Sequence, residues 1–135
     1  MEDCIFCKII AGEIPSNKIY EDEDVLAFLD IMPINPGHTL VIPKTHYTSV
    51  DDTPDKILEK LIVAVKKIGS AVKVGTGSPA YNIGLNNGKV AGQVVDHVHF
   101  HIMPRTADDG KEMWAGGKYK EDEAESVAEK IKEAL

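Results

Sequence analysis

Hydrophobic and polar residues in the first third of the chain follow a pattern that predicts short elements separated by turns. A largely apolar stretch at residues 5–11 is typical of a short helix, and Gly12 should end it. Three strands should follow: 18–21 and 25–30, joined by the acidic turn at 21–24, and TLVIPK, residues 39–44, after the turn at Pro36 and Gly37.

The longest helical pattern begins near residue 53. Thr53 and Pro54 predict a helix cap followed by a first-turn proline. Apolar residues then recur at helical spacing until Gly75, where we expect the helix to end. This stripe should pack on one face of the sheet: Ile57, Leu61, Val65, Ile68 and Val72.

The second half of the chain predicts two more strands and a terminal helix. YNIGLNN, residues 81–87, reads as the fourth strand and DHVHFHIMPR, residues 96–105, as the fifth, with a glycine-bearing turn at 88–93 between them. A polar segment around Trp114 precedes a short helix whose apolar face should be formed by Ala124, Val127, Ala128, Ile131 and Leu135.

Five short strands joined by tight turns, with one long inserted helix, predict an α+β fold. The sheet should be a five-stranded antiparallel meander, because parallel strands would need a long crossover between each pair. No repeat or linker divides the sequence, so we expect a single domain over residues 1–135. Its core should cover about 4–105, and a C-terminal tail and helix should cover 106–135.

Composition narrows the possible partners. The net charge of −7 repels nucleic acid and anionic membranes, so a phosphate-bearing partner should be small and held in a local pocket. No apolar run approaches the roughly 20 residues that span a bilayer. The N-terminal residues MEDCIFCKII do not resemble a secretory signal. We therefore expect a cytoplasmic protein.

Three histidines at alternate positions, His97, His99 and His101, are the strongest chemical signal. In a strand they would share one face, with neighbours about 6.7 Å apart and the outer pair about 13 Å apart. One zinc ion binds nitrogen at about 2.0–2.1 Å, so this spacing disfavours a zinc hydrolase that uses all three as ligands. The pair Cys4 and Cys7 indicates metal or redox chemistry, or simply two half-buried thiols on a helix.

HVHFHIM, residues 97–103, resembles the signature of the histidine triad (HIT) nucleotide-binding proteins. The resemblance continues in order through IFCKIIAGEIP, residues 5–15, VLAFLDIMPINPGHTLVIPKTH, residues 25–46, and NNGKVAGQ, residues 86–93. It implies the HIT-like fold, usually as a homodimer whose two sheets join. It also implies a hydrolase or transferase that cleaves nucleoside phosphoramidates or other nucleoside monophosphate adducts through a nucleotidyl-histidine.

The resemblance assigns roles to residues near the triad. It implies that His99 attacks phosphorus, with its second ring nitrogen bonded to a backbone carbonyl, here that of His97, and that His101 contacts the phosphate or leaving group. Asn86 and the phosphate loop with Gly92 and Gln93 would contact the phosphate. Val94 stands where the Hint branch commonly has serine, which puts efficient phosphoramidate cleavage in question.

The resemblance also implies a nucleoside site. Asp30 would accept hydrogen bonds from the ribose hydroxyls. An apolar slot would surround a purine base and discriminate weakly between adenine and guanine, by less than about a hundredfold. The residues of this slot would be Ile5, Phe6, Ile9, Phe28, Leu29 and Ile31.

Some family members with this cysteine pair bind zinc, and the matching ligands here would be Cys4, Cys7, His46 and His97. The metal should be structural, because relatives without the cysteines remain active. Two other functions stay open at this point: hydrolysis of dinucleoside polyphosphates, as in the Fhit branch, and a nucleotide-binding interaction module without turnover.

Overall fold

A computed structural model of the chain describes residues 3–135. Its secondary structure consists of three α-helices and five strands, with two 3₁₀ turns. In chain order these are α1 (Ile5–Ile10), β1 (Lys18–Glu21), β2 (Val25–Leu29), β3 (Thr39–Pro43), a 3₁₀ turn (Val50–Asp52), α2 (Asp55–Thr76), β4 (Ala80–Gly84), a 3₁₀ turn (Lys89–Ala91), β5 (Phe100–Arg105) and α3 (Glu123–Ala134).

The strands form one antiparallel sheet in the order β1-β2-β3-β5-β4. The predicted α+β class and five-stranded antiparallel sheet are confirmed, but the order is not a simple meander. After β3 the chain crosses the sheet through α2, and the next strand, β4, forms the edge. The last strand, β5, then lies between β3 and β4. β5 therefore pairs with β3 on one side and with β4 on the other.

Helix α2 packs on one face of the sheet, against β2, β3, β4 and β5. Its apolar stripe packs on strand residues that point to the same side, and Leu61 and Val65 are completely buried there. A Cβ on Gly69 would lie 2.7 Å from the ring of Tyr81, so glycine lets the helix approach β4 closely. The buried members of this cluster are Val25, Ala27, Val41, Leu61, Ala64, Val65, Ile68, Val72 and Ile102.

Helix α1 covers only part of the opposite face. Phe6 and Ile9 pack on Leu26, Phe28, Leu40 and Ile42 in a second apolar cluster. Within residues 3–135, no helix lies over the half of this face that β5 and β4 form. Among residues 3–135, none of the helices is both long and apolar enough to cross a membrane.

Local signals placed both ends of the long helix incorrectly. Thr53 does not cap it, because the Thr53 hydroxyl donates to the Ser49 carbonyl at 2.6 Å and the helix begins at Asp55. Gly75 lies within the helix, which ends at the left-handed Gly77, φ 70°. Either glycine could have ended the apolar pattern, and the second one does.

Two predicted strands are shorter than expected. The fourth ends at Gly84 instead of continuing to residue 87. Asn87 is turned away from the sheet, since its side chain accepts from the Val50 amide at 2.9 Å and donates to Asp51 at 3.1 Å. The fifth begins at Phe100, so His97 and His99 precede the regular strand. The terminal helix is present, and its apolar face is exposed.

Candidate active site and metal centre

The triad lies at the edge of the area that α1 covers. His101 pairs with Leu40 across β5 and β3, so their side chains point to the same face. Leu40 belongs to the α1 cluster, whereas Met103, two residues beyond His101, lies over the uncovered half. His101 therefore stands at the boundary between a packed wall and an open cleft of about 690 Å³.

The three histidines do not form one row on a strand. His97 turns towards the N-terminal cysteines, whereas His99 and His101 face each other with ring centroids 5.0 Å apart. The segment is still held to the body, because the Val98 amide donates to the Tyr47 carbonyl at 2.8 Å. A bend before β5 thus directs His97 to the cysteines and leaves His99 and His101 next to each other.

His99 is fixed as one tautomer. Its Nδ1 lies 2.8 Å from the carbonyl oxygen of His97, and a carbonyl can only accept, so Nδ1 carries the proton. Burial lowers the pKa of His99, and the neutral ring therefore has its lone pair on Nε2. The edge-on ring of Phe6, 5.1 Å away between centroids, packs against the imidazole. His99 has the hydrogen-bonding pattern of an oriented nucleophile.

His101 is set as the opposite tautomer by His38. The Ile34 amide donates to His38 Nδ1 at 3.0 Å, so neutral His38 carries its proton on Nε2. That nitrogen lies 2.9 Å from His101 Nδ1 and donates to it. Neutral His101 must then carry its own proton on Nε2, which is buried and has no hydrogen-bond partner among residues 3–135.

His38 and His101, joined by this hydrogen bond, form a relay, and both rings are uncharged at neutral pH. Burial lowers the pKa of His38, and burial together with the nearby His99 and His38 rings lowers the pKa of His101 to about 4. Sequence reasoning missed His38. The available sequence feature was a single histidine directly before the buried strand β3, on the same face as Leu40. Only the pairing of β3 with β5 shows that this histidine contacts His101.

Asp30 lies just after β2 and is close to this relay. One carboxylate oxygen accepts from the Met32 amide at 2.8 Å, and the other lies 3.7 Å from His38 Nε2. The second oxygen faces the site, and the side chain is about 20% exposed. A substrate hydroxyl can therefore reach the carboxylate without displacing a short side-chain hydrogen bond.

The predicted phosphate loop turns around two left-handed glycines. Gly92 has φ 100°, and a Cβ there would lie 3.2 Å from the Asn86 amide nitrogen, so a larger residue would be doubly unfavourable. Asn86 donates to the Gly92 carbonyl at 3.3 Å. Val94, at the end of the loop, is 89% exposed.

Gln93 supports this loop from inside. Its carbonyl oxygen accepts from the Gly88 amide at 2.9 Å. Its amide nitrogen donates to the Thr48 and Val95 carbonyls at 2.6 and 3.0 Å. The side chain is 5% exposed and has both ends bonded, so it shapes the loop and is not free to contact a phosphate.

The structure divides the predicted apolar slot into two groups. Phe6, Ile9 and Phe28 are buried in the α1 cluster, and Phe6 also packs on the rings of His97 and His99. Ile5 and Ile31 are 42% and 86% exposed, and Leu29 is half-buried. Ile31 follows Asp30 directly in the chain and supplies exposed apolar surface there that a flat ring could cover.

The predicted metal ligands come together beside the triad. The donor atoms of Cys4, Cys7, His46 and His97 lie within 4.8 Å of one another. Sulfur–nitrogen distances are 3.4 Å from Cys4 to His97, 3.3 Å from Cys7 to His46 and 3.6 Å from Cys7 to His97. Zinc bonds of about 2.3 Å to sulfur and 2.05 Å to nitrogen at tetrahedral angles give about 3.6 Å for such an edge.

The tautomer of His97 also fits a metal. Its Nε2 donates to the Pro43 carbonyl at 2.9 Å, which leaves the Nδ1 lone pair facing the thiols. Burial lowers the pKa of His97 to about 4, so the ring is neutral. Two cysteines and two histidines with these separations fit a tetrahedral zinc ion.

A second group of possible ligands, Asp30, His38 and His101, fits a metal less well. The 2.9 Å between His38 Nε2 and His101 Nδ1 is a hydrogen-bond distance with one proton between the rings. Since the proton occupies one of the two nitrogens, both lone pairs cannot point at a common cation. We interpret this group as the relay described above.

Comparisons with known proteins agree with this geometry. The HIT domain model matches residues 11–108. A HIT-like protein of Methanocaldococcus jannaschii is 54% identical over 129 residues, 96% of this chain and 98% of that protein. An adenosine 5'-monophosphoramidase of Candida albicans is 41% identical over 139 aligned positions, 98% of this chain and 91% of that protein. An adenylylsulfatase of Arabidopsis thaliana is 45% identical over 113 residues, 84% of this chain and 56% of that protein.

Solved structures give the same result. A HIT family protein from Bacillus subtilis superposes with a TM-score of 0.89 at 44% identity, covering 98% of this chain and 97% of that one. A zinc-bound histidine triad protein from Mycobacterium smegmatis superposes with a TM-score of 0.79 at 35% identity, covering 99% of both chains. The chain therefore belongs to the HIT domain family, as its triad sequence predicts.

Proposed function

We propose that the protein is a nucleotide hydrolase or transferase that cleaves nucleoside phosphoramidates, or other nucleoside monophosphate adducts, through a nucleotidyl-histidine. The observation that carries the proposal is the opposite tautomers of two facing imidazoles. His99 offers a lone pair and His101 offers an N–H. A nucleophile and a donor side by side are what displacement at a phosphate requires.

In the first step, His99 Nε2 attacks the α-phosphorus and forms an N–P bond while the bond from phosphorus to the leaving nitrogen breaks. The departing amine takes up a proton from solvent. His99 keeps the proton on Nδ1 and donates it to the His97 carbonyl, which stabilises the charge that the phosphorylated ring acquires. The product is a nucleoside monophosphate linked covalently to His99.

In the second step, water attacks the phosphorus from the side that the amine has left. The N–P bond breaks, the nucleoside monophosphate is released, and water loses a proton to solvent, which replaces the proton that the amine took up in the first step. His101 Nε2–H donates to a phosphate oxygen in both steps. The relay from His38 holds that proton in place, so His101 acts as a fixed donor and stays neutral.

The substrate would lie across the boundary at His101. Asp30 would accept from the ribose hydroxyls, and the half-open apolar surface around Ile5 and Ile31 would contact the base. A base held only by apolar surface would be discriminated weakly, so we expect both purines to be accepted. The leaving group would enter the cleft beside Met103 and Trp114.

Zinc would be held by Cys4, Cys7, His46 and His97, where it would join the N-terminal helix to the sheet. We place the reaction in the cytoplasm, a reducing compartment in which both cysteines remain thiols available to a metal. We also propose a homodimer, supported by the open edge of β4 and the exposed apolar face of α3.

The direct test is incubation with adenosine 5'-phosphoramidate followed by intact mass measurement after acid-free quenching. The wild type should carry a nucleotidyl adduct that disappears in acid, and His99→Ala should carry none. The alternative of a binding module predicts nucleotide binding without adduct or turnover in either protein. Competition with a dinucleoside polyphosphate would then rank the two substrate classes.

A further inference from the structure

The metal centre and the reactive site share their supporting contacts. The four donors come from three separate parts of the chain: α1, the segment after β3 and the segment before β5. The last two of these also hold the nucleophile and the phosphate loop through hydrogen bonds. A change at the metal donors would therefore be transmitted to both.

His97 makes the shortest connection. Its Nδ1 faces the sulfur atoms of Cys4 and Cys7, and its Nε2 donates to Pro43. Its carbonyl accepts the proton of His99 Nδ1 at 2.8 Å. The ring that binds the metal and the carbonyl that orients the nucleophile thus belong to one residue.

His46 makes a second connection through the two residues that follow it. The Tyr47 carbonyl accepts from the Val98 amide, which lies between the metal ligand and the nucleophile. The Thr48 carbonyl accepts from the Gln93 amide at 2.6 Å, and Gln93 in turn shapes the phosphate loop. Moving His46 would therefore shift the two carbonyls that hold the segment before His99 and the phosphate loop.

We infer that the Cys4–Cys7–His46–His97 centre positions His99 and the phosphate loop, so that Cys4, Cys7 and His46 are positioning residues for catalysis. This inference rests on the proposed function only in one respect: the proposed function names attack by His99 as the step that the positioning affects. A bound zinc ion would take no part in the chemistry. It would supply the attraction that holds three segments in register, which thiol–imidazole hydrogen bonds of 3.3–3.6 Å supply only weakly.

The test compares Cys4→Ser with Ile14→Ala. Ile14 packs on the same α1 cluster but donates nothing to the centre, so its truncation loosens α1 and leaves the donors intact. Three readouts are taken on the full chain well below the melting temperature of each protein: bound zinc per chain, amide hydrogen exchange of a peptide covering 93–99, and kcat and KM for adenosine 5'-phosphoramidate. A peptide from the core of α2 serves as the internal reference.

The wild type should carry about one zinc per chain, and Cys4→Ser should carry little. In Cys4→Ser, exchange over 93–99 should be at least about tenfold faster than in the wild type, while the α2 peptide is unchanged. The value of kcat should fall about 10- to 100-fold with a smaller change in KM, since misplacement acts on the reacting atoms. Ile14→Ala should lower the melting temperature and retain kcat and the exchange pattern. Stripping the wild type with a chelator should reproduce the Cys4→Ser behaviour, and adding zinc alone should reverse it.

Three results would overturn the inference: a wild type that binds no added zinc, equal exchange over 93–99 with and without zinc, or equal losses of kcat in Cys4→Ser and Ile14→Ala. The proposed function fails separately. A wild type that forms no nucleotidyl adduct, but whose 93–99 segment is protected by zinc, would refute the reaction and support the coupling.

Discussion

Replacing His38 by phenylalanine tests whether the relay fixes the working tautomer of His101. His38 is 3% exposed and its ring centroid lies 5.1 Å from that of His101, so a phenyl ring of similar volume should fit. The substitution removes the Nε2–H that donates to His101 Nδ1. His101 then has no reason to keep its own proton on Nε2.

The magnitude follows from the lost hydrogen bond. A buried nitrogen left without its donor costs about 1–3 kcal/mol, which corresponds to about 5- to 150-fold. His101 can recover part of this by moving its proton to Nδ1, but Nε2 then no longer donates to the phosphate. We expect the loss mainly in kcat, because donation to the phosphate matters most as charge develops in the transition state.

The assay combines steady-state kinetics on adenosine 5'-phosphoramidate with nitrogen NMR of the histidine rings. His38→Gln is the matched control, since a carboxamide can accept from the Ile34 amide and donate to His101, and it should retain most of the turnover. Wild-type kcat in His38→Phe, or an Nε2-protonated His101 in that variant, would refute the relay.

Three further outcomes are expected. Val94→Ser places a hydroxyl at an exposed position of the loop and should raise kcat/KM for phosphoramidates about two- to tenfold, the value of one hydrogen bond. The control Val74→Ser, at an exposed position of α2, should leave kcat/KM unchanged. An unchanged kcat/KM in Val94→Ser would count against contact between residue 94 and the substrate. Leu61→Ala in the completely buried α2 face should lower the free energy of unfolding by about 2–5 kcal/mol in urea titration, and a loss below about 1 kcal/mol would contradict the described packing. Stability should fall as pH drops from about 6.5 towards 4, because burial lowers the pKa of His38 and lowers that of His101 to about 4, so the unfolded chain takes up protons first. At pH 5 the loss that comes from His101 should be about 1–2 kcal/mol, and the total loss should be smaller in His38→Gln; a urea midpoint independent of pH would contradict this reasoning.

Local patterns were sufficient for most elements. Period-two and helical spacing placed α1, β1, β2, β3 and the body of α2, because each buries one face on a neighbouring layer. The ends of α2 were wrong because the residues that signalled them have other roles in the folded chain. Thr53 bonds back to Ser49 instead of capping the helix, and Gly75 remains helical while Gly77 ends it.

Long-range pairing was the main thing that the sequence could not supply. The position of β5 between β3 and β4 depends on contacts between distant residues, and so does the meeting of His38 with His101, which are 63 residues apart. The same holds for Gln93, which looked available to a phosphate but is bonded at both ends inside the loop. The four metal ligands could be named in advance only by resemblance, since Cys4 and His97 are 93 positions apart.

The central claim is that His99 is neutral, oriented by the His97 carbonyl and aimed at phosphorus. Intact mass measurement of the protein after brief incubation with adenosine 5'-phosphoramidate tests it most directly. We expect a mass increase of one adenosine monophosphate on the wild type, lost on acid treatment, mapped to His99 and missing in His99→Ala. Turnover by His99→Ala at the wild-type rate, or an adduct mapped to another residue, would contradict it.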